Sequence, residues 1–196
     1  MTTFLLYHWL DLLTTLLGLA YILLEYRASI YLWAVGFAMQ VLGIVLYYQK
    51  GLYADCGMEI YYICMTVYGF MNWKFGFGGK KKAKPAEITH IPAKIAFRWI
   101  VIAMAVWALI YWILVTFTDS KVPIADSFTT AFSLMGIWAL ARKYIEQWLV
   151  WIVVDIVTCQ LYFYKDIPFK ASLYCLYIVI AIFGYRKWKK MMFSNQ

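Results

Sequence analysis

The sequence predicts an all-α membrane protein with seven transmembrane helices, arranged as two parallel three-helix bundles joined by a linker helix in a 3+1+3 plan. Three observations predict it. Hydrophobic residues fill 65% of the 196 positions and charged residues 14%, against roughly 25% charged in soluble domains. Residues 11–74 recur without a gap as residues 126–189, and the identities at an offset of 115 include Asp11/Asp126, Arg27/Arg142, Trp33/Trp148, Tyr62/Tyr177, Gly69/Gly184 and Trp73/Trp188. Seven apolar stretches approach the roughly 20 residues a spanning helix needs: about 4–25, 30–48, 54–73, 95–117, 124–141, 146–164 and 169–187.

The first stretch has no basic n-region and no small-residue cleavage site, and its repeat partner is internal, so it reads as a mature helix rather than a signal peptide. Residues 1–74 form the first repeat. The segment 75–94, with Gly78-Gly79-Lys80-Lys81-Lys82-Ala83-Lys84-Pro85, reads as a flexible basic loop on the cytoplasmic side; a lipid-headgroup site is its alternative. An odd number of spans per repeat requires a returning helix if both copies are to enter the membrane in the same sense, and 95–120 supplies it. Residues 121–196 hold the second repeat and a short tail. Such duplicated bundles are a recurrent plan of secondary transporters, with a site near the bilayer midplane.

With seven alternating spans, 14 of the 18 Lys and Arg fall on one side, leaving Lys50, Lys121, Lys165 and Lys170 on the other. The positive-inside rule then places the N-terminus outside and the C-terminus in the cytoplasm. The formal charge of +8 is thus orientation signal, and no nucleic acid is expected. Cys56, Cys64, Cys159 and Cys175 lie inside apolar spans without C-x-x-C spacing and read as packed, reduced thiols. His8 and His90 are isolated, so neither a metal nor a cofactor is expected. The four prolines fall in loops or at helix starts. Gly69 and Gly184 read as close-packing positions. Trp9, Trp73, Trp99 and Trp188 read as interfacial belt anchors, and Asn72 as a cap or belt residue.

A deep polar side chain is expensive in hydrocarbon, about 2.5–3.5 kcal/mol for a central Asp, and is therefore a functional candidate. Asp155 is central in helix 6 and its equivalent Gln40 is central in helix 2. Glu59 and Tyr62 lie in helix 3, and Gln160 lies about a turn beyond Asp155. Trp148, Trp151 and Asp155 follow i, i+3, i+7 spacing and share one helix face. Two indoles and a carboxylate on one stripe suit a flat cationic aromatic ligand, through stacking, cation–π attraction and charge pairing. The alternative is packing by both tryptophans and a helix–helix bond from Asp155. Tyr174 and Tyr177 in helix 7, like Tyr61 and Tyr62 in helix 3, add hydroxyl-bearing rings. An intramembrane enzyme would need a nucleophile and base within reach of one another, and no Ser–His, Cys–His or His-cluster spacing provides them.

With this duplication, the run Trp148-Leu149-Val150-Trp151-Ile152-Val153-Val154-Asp155, the endings Tyr68-Gly69-Phe70-Met71-Asn72-Trp73 and Phe183-Gly184-Tyr185-Arg186-Lys187-Trp188, and Tyr53-Ala54-Asp55 before helix 3, the chain resembles the PnuC family of vitamin transporters. The resemblance covers nearly the whole chain. It implies facilitated diffusion of a vitamin precursor, most often nicotinamide riboside, across the bacterial inner membrane, with trapping by a separate cytoplasmic kinase. It also implies a homotrimer among membrane lipids, with relatives that carry thiamine, riboflavin or nucleosides. Where the family usually shows Gln in helix 3 this chain has Glu59, and where many members show Asn in helix 6 it has Asp155. Two carboxylates favour a cation, which nicotinamide riboside and thiamine both are, over neutral riboflavin. The expected substrate site is Trp148, Trp151, Asp155, Gln40, Glu59, Tyr62, Gln160, Tyr174 and Tyr177, working by a small rocking of the repeats. A proton-coupled symporter using Asp155 and a sugar carrier of related plan are the alternatives.

Overall fold

Seven apolar runs fold as helices: α1 (Leu16–Tyr26), α2 (Leu32–Gln49), α3 (Tyr53–Phe75), α4 (Ala93–Phe117), α5 (Pro123–Ala141), α6 (Gln147–Tyr164) and α7 (Pro168–Ser194). The computed structural model describes residues 13, 16–49, 53–76, 85–164 and 168–194, without the side chains of 53–55 and 168–170. The start of helix 1 with His8, Trp9 and Asp11, the basic run 80–84, and the side chains of Lys50, Lys165 and Lys170 lie outside the described residues. By length and apolarity α2, α4, α5 and α6 each qualify as membrane spans. Helices α3 and α7 are 23 and 27 residues long, enough at 1.5 Å per residue to cross about 30 Å of hydrocarbon. Helix α7 continues to Ser194, beyond the expected end near 187, because its Lys-rich continuation consists of good helix formers with no glycine or proline to stop it.

The chain divides into two compact units, Met1–Ala86 with α1–α3 and Glu87–Gln196 with α4–α7. In the first, α2 packs on α3; in the second, α4 packs on α5, α5 on α6 and α6 on α7. Helix α4 is held by aromatic contacts: Trp107 meets Phe128 edge-on at 5.5 Å and donates its indole N–H to Ser127 Oγ at 3.1 Å. Phe128 in turn stacks on Phe132 at 4.4 Å. The first repeat has Leu12, Leu13 and Leu17 at the positions of Ser127, Phe128 and Phe132, so this anchorage belongs to the second copy alone.

The duplication extends to individual hydrogen bonds. Helix α1 ends in a Schellman motif, with Ala28 N–H on Glu25 O and Ser29 N–H on Leu24 O, both 2.9 Å. Helix α5 ends the same way, with Lys143 N–H on Leu140 O at 2.8 Å and Tyr144 N–H on Ala139 O at 3.0 Å. The motif demands a left-handed residue at its turn, and Ala28 (φ 49°) and Lys143 (φ 60°) take that conformation although neither is glycine. The next helix then starts alike in both copies: Trp33 N–H bonds Ile30 O and Trp148 N–H bonds Ile145 O, each at 3.2 Å.

The second of these turns carries a strap that precedes α4. Thr89 forms an isolated parallel bridge with Tyr144, its N–H on Lys143 O at 3.3 Å and its carbonyl accepting Ile145 N–H at 3.0 Å. Glu146 fixes the strap further, with Oε2 accepting Ile91 N–H at 3.0 Å and Oε1 2.7 Å from His90 Nδ1. Beneath the strap, burial pushes the Lys143 ammonium below its ordinary pKa, and the Glu87 carboxylate opposes the shift.

At the same end of each unit a tryptophan lies on a glycine. Trp33 of α2 sits on Gly69 of α3 with Trp73 edge-on at 5.5 Å; Trp148 of α6 sits on Gly184 of α7 with Trp188 edge-on at 5.8 Å. Trp73 and Trp188 were expected as belt anchors; the structure buries both, at 3% and 0% exposure. Asn72, a cap or belt residue by its position, is buried as well. The close-packing reading of the two glycines holds, since a Cβ on Gly184 would lie 2.6 Å from Trp148 Cη2. Gly184→Ala is therefore expected to lower stability by about 1–3 kcal/mol, the usual cost of overpacking, with partial recovery in Gly184→Ala/Trp148→Phe. The unfolding midpoint of the purified protein in detergent measures both.

Candidate substrate-binding residues in each repeat

In the first unit, Gln40 is buried on α2 and accepts a hydrogen bond from Thr66 Oγ1 of α3 at 2.9 Å through its side-chain carbonyl. That bond spares the amide nitrogen as a donor. One turn further, Gly43 makes room for Glu59: a Cβ there would stand 2.7 Å from Glu59 Oε1. Tyr62 lies edge-on to Tyr61 at 5.8 Å on the same helix. Gln40, Glu59 and Tyr62 thus belong to the α2–α3 pair.

The equivalent places in the second unit are chemically different. Gln40 becomes Asp155, and its donor Thr66 becomes Ala181. Asp155 is 7% exposed on α6, and among the described residues no side chain donates a hydrogen bond to its carboxylate. A lone buried carboxylate is costly, which is why such groups are paired or serve a function. Tyr174 and Tyr177 stand on α7, the helix packed against α6. Tyr174, the counterpart of Glu59, stacks on Tyr162 at 5.4 Å and meets Tyr177 edge-on at 5.6 Å. Asp155, Tyr174 and Tyr177 are therefore gathered on one helix pair.

The two tryptophans of the expected stripe separate in role. Trp148, 1% exposed, is enclosed by Gly184 and Trp188, as its counterpart Trp33 is by Gly69 and Trp73, so its ring fills the helix interface instead of offering a face for stacking. Trp151 is partly exposed and lies against Gly136 of α5, about 3.1 Å from where a Cβ would be. Its indole nitrogen is buried without a hydrogen-bond partner. Gln160 is exposed and follows Leu149, Val153 and Ile156 on the outward stripe of α6. Five residues from Asp155 it is turned by about 140° around the helix, so the structure does not bring the two together.

Among the buried polar residues that escaped the sequence reading are Thr66, Glu25 and Gln147. Thr66 is an unremarked hydroxyl in an apolar span, and its signal was the lone Thr/Ala difference at that place between the repeats. Glu25, 4% exposed in the last turn of α1, stands where the second copy has Leu140. Gln147, 0% exposed with neither side-chain amide atom hydrogen-bonded, stands where the first copy has buried Leu32. Both lie near span ends, where a polar residue reads as interfacial. No cluster of three or more His, Cys, Asp or Glu able to hold a metal occurs among the described residues.

Long apolar helices with buried polar side chains at the α2–α3 and α6–α7 contacts define a multi-pass membrane protein. Residues 8–190 match the family described as nicotinamide mononucleotide transporter, and the chain belongs to that family, which includes the PnuC proteins and consists of transporters, not enzymes. It is 26% identical to the riboflavin/roseoflavin transporter RibM of Streptomyces davaonensis, over 92% of this chain and 84% of that protein. Identity is 20% to the nicotinamide riboside transporter PnuC of Escherichia coli, with the same coverage, and 23% to that of Neisseria mucosa, over 94% of this chain and 73% of that one. The crystal structure of the vitamin B3 transporter PnuC superposes with a TM-score of 0.73 at 19% identity, covering all of this chain and 88% of the other. The fold is shared.

The differing environments of the tryptophans can be tested. Trp148→Ala is expected to cost about 3–5 kcal/mol of stability as a large-to-small core substitution. Trp151→Ala is expected to weaken vitamin binding by about 5- to 150-fold, the equivalent of 1–3 kcal/mol of stacking and cation–π contact. Thermal unfolding and titration calorimetry on the two purified variants separate the effects.

Proposed function

We propose that the protein is a facilitative uniporter for a cationic aromatic vitamin precursor, nicotinamide riboside first, trapped after entry by a separate cytoplasmic kinase. The observation that carries this reading is Asp155: a buried carboxylate to which no side chain among the described residues donates, in the copy that has Ala181 where its counterpart has the Thr66 hydroxyl. A cation passing the site completes the pair, and leaving restores the cost, which suits transient binding. Trp151 supplies an aromatic face, and Tyr174 and Tyr177 supply hydroxyls beside the carboxylate. Gln40 and Glu59 provide the first repeat's polar contacts, with Tyr62 beside them. Trp148 supports Trp151 by holding α6 on α7, and Gln160 is the least favoured contact of the original set.

Thiamine, whose thiazolium is also a cation, is the nearest second substrate, since a carboxylate also pairs with its aminopyrimidine. Riboflavin is favoured by one observation, the 26% identity to a riboflavin transporter, and disfavoured by its neutral ring. We further propose that the chain works in the bacterial inner membrane as a homotrimer, N-terminus outside and C-terminus cytoplasmic, with functional segments 1–74, 75–94, 95–120 and 121–196. Reporters should read external before Met1 and cytoplasmic after Gln196; the same reading at both ends would sink the orientation.

In vesicles, labelled nicotinamide riboside is expected to equilibrate without accumulating, while glucose does not enter. Asp155→Asn is expected to lower affinity about tenfold or more, the worth of a charge-assisted contact, leaving residual counterflow insensitive to an imposed proton gradient. Uncoupler-sensitive accumulation in vesicles lacking a kinase, abolished by Asp155→Asn, would instead establish the proton-coupled symporter. Thiamine or riboflavin equilibrating while nicotinamide riboside stays outside would reassign the substrate.

A further inference from the structure

The α6–α7 interface also holds a pair of thiols that substrate recognition leaves unused. Cys159 Sγ and Cys175 Sγ lie 3.1 Å apart, and Cys159 Sγ is 3.4 Å from the carbonyl of Ala171. Both are free thiols, Cys159 buried and Cys175 exposed. A disulfide spans about 2.05 Å, so closing the bond needs a sulfur shift of about 1 Å. The first repeat has Ile44 and Ile60 at these positions, so filling this part of the fold does not require sulfur.

The surroundings define both the effect and the reagent. Cys159 lies one turn from Asp155, and Cys175 directly follows Tyr174, whose stack on Tyr162 joins the same two helices. A covalent link here would fix α6 to α7 beside the proposed substrate contacts. Cys175 shares the exposed stripe of α7 with Leu176, Val179, Ile182 and Phe183, a hydrocarbon-facing surface in a membrane. A charged oxidant is excluded from that surface by its desolvation cost, whereas a lipid-soluble one is concentrated there.

We propose that Cys159 and Cys175 form a redox-modification site at which a lipid-soluble quinone stops transport by stapling α6 to α7. Each thiol gives up its hydrogen, the two sulfurs join, and the quinone takes up two electrons and two protons to leave as the quinol. A reducing dithiol reverses the step by thiol–disulfide exchange. The loss of transport rests on the function proposed above; formation of the disulfide does not.

The test uses the full-length protein in liposomes with duroquinone, a fully substituted quinone to whose ring a thiol cannot readily add, against membrane-impermeant ferricyanide. Duroquinone is expected to lower the intact mass by two hydrogens and protect two of the four cysteines from maleimide in the denatured protein. It is also expected to abolish uptake of labelled nicotinamide riboside, the substrate proposed above. Dithiothreitol is expected to restore all three properties, and ferricyanide to change none. Cys159→Ile/Cys175→Ile, which copies Ile44 and Ile60 of the first repeat, should keep its uptake in duroquinone. Four maleimide-reactive thiols after duroquinone, a disulfide that leaves uptake unchanged, or equal loss of uptake in the double variant would each overturn the proposal. The mass and thiol measurements need no transported substrate, so failure to find the vitamin would remain distinguishable from failure of the site.

Discussion

An indole ring resting on a glycine backbone sets the geometry of both repeats. The absence of a Cβ at Gly69 and Gly184 lets α3 and α7 approach Trp33 and Trp148 closely, and the edge-on Trp73 and Trp188 close the far side. Apolar residues gain little by leaving lipid for one another, so helix association in a bilayer leans on tight van der Waals contact. These two clusters supply it at the end of each helix pair. The Schellman turns at Ala28 and Lys143 deliver the chain into α2 and α6 a few residues before those tryptophans. A backbone conformation disfavoured for both residues is thereby held by the packing that follows it.

With one end of each helix pair fixed, the repeats are free to differ along the rest of their length. Gln40 carries no charge and has a hydroxyl partner in Thr66; Asp155 carries a potential charge and has Ala181 in that place. Gly43 shelters Glu59 where Thr158 and Tyr174 stand in the other copy. The same scaffold thus carries two chemically different sets of polar groups. The strap from Glu87 to Ile91 and the aromatic anchorage of α4 add a further asymmetry, because both belong to the second unit.

The apolar runs and the constant offset of 115 made the fold readable from sequence, because helices in hydrocarbon must satisfy their own backbone and so follow hydropathy closely. Deep charges were readable for the same reason, and Asp155 and Glu59 were found that way. Side-chain direction was less accessible. Trp148, Trp151 and Asp155 share a face by spacing, but only the neighbouring helix decides that Trp148 meets a glycine and is covered. Gln160 faces away from Asp155 for a rotational reason, since nearness along a helix is not nearness around it. Trp73 and Trp188 resembled belt anchors because position along a span cannot distinguish a ring turned toward lipid from one turned inward. Gln147 and Glu25 were hidden by their places near span ends, where polarity is ordinary.

One exchange between the copies constrains how the gene can change. In the first repeat Tyr21 of α1 lies against Gly36 of α2; in the second, the glycine is Gly136 of α5 and the large ring is Trp151 of α6. Because 21 corresponds to 136 and 36 to 151, ring and glycine have traded helices. Gene conversion that overwrote α2 with the α6 sequence alone would set a tryptophan against Tyr21, and the reverse conversion would leave glycine facing glycine across a void. Only a tract spanning both helices would be viable. The two halves hold mutually exclusive solutions to the same contact, so a helix of one copy cannot simply replace its counterpart in the other.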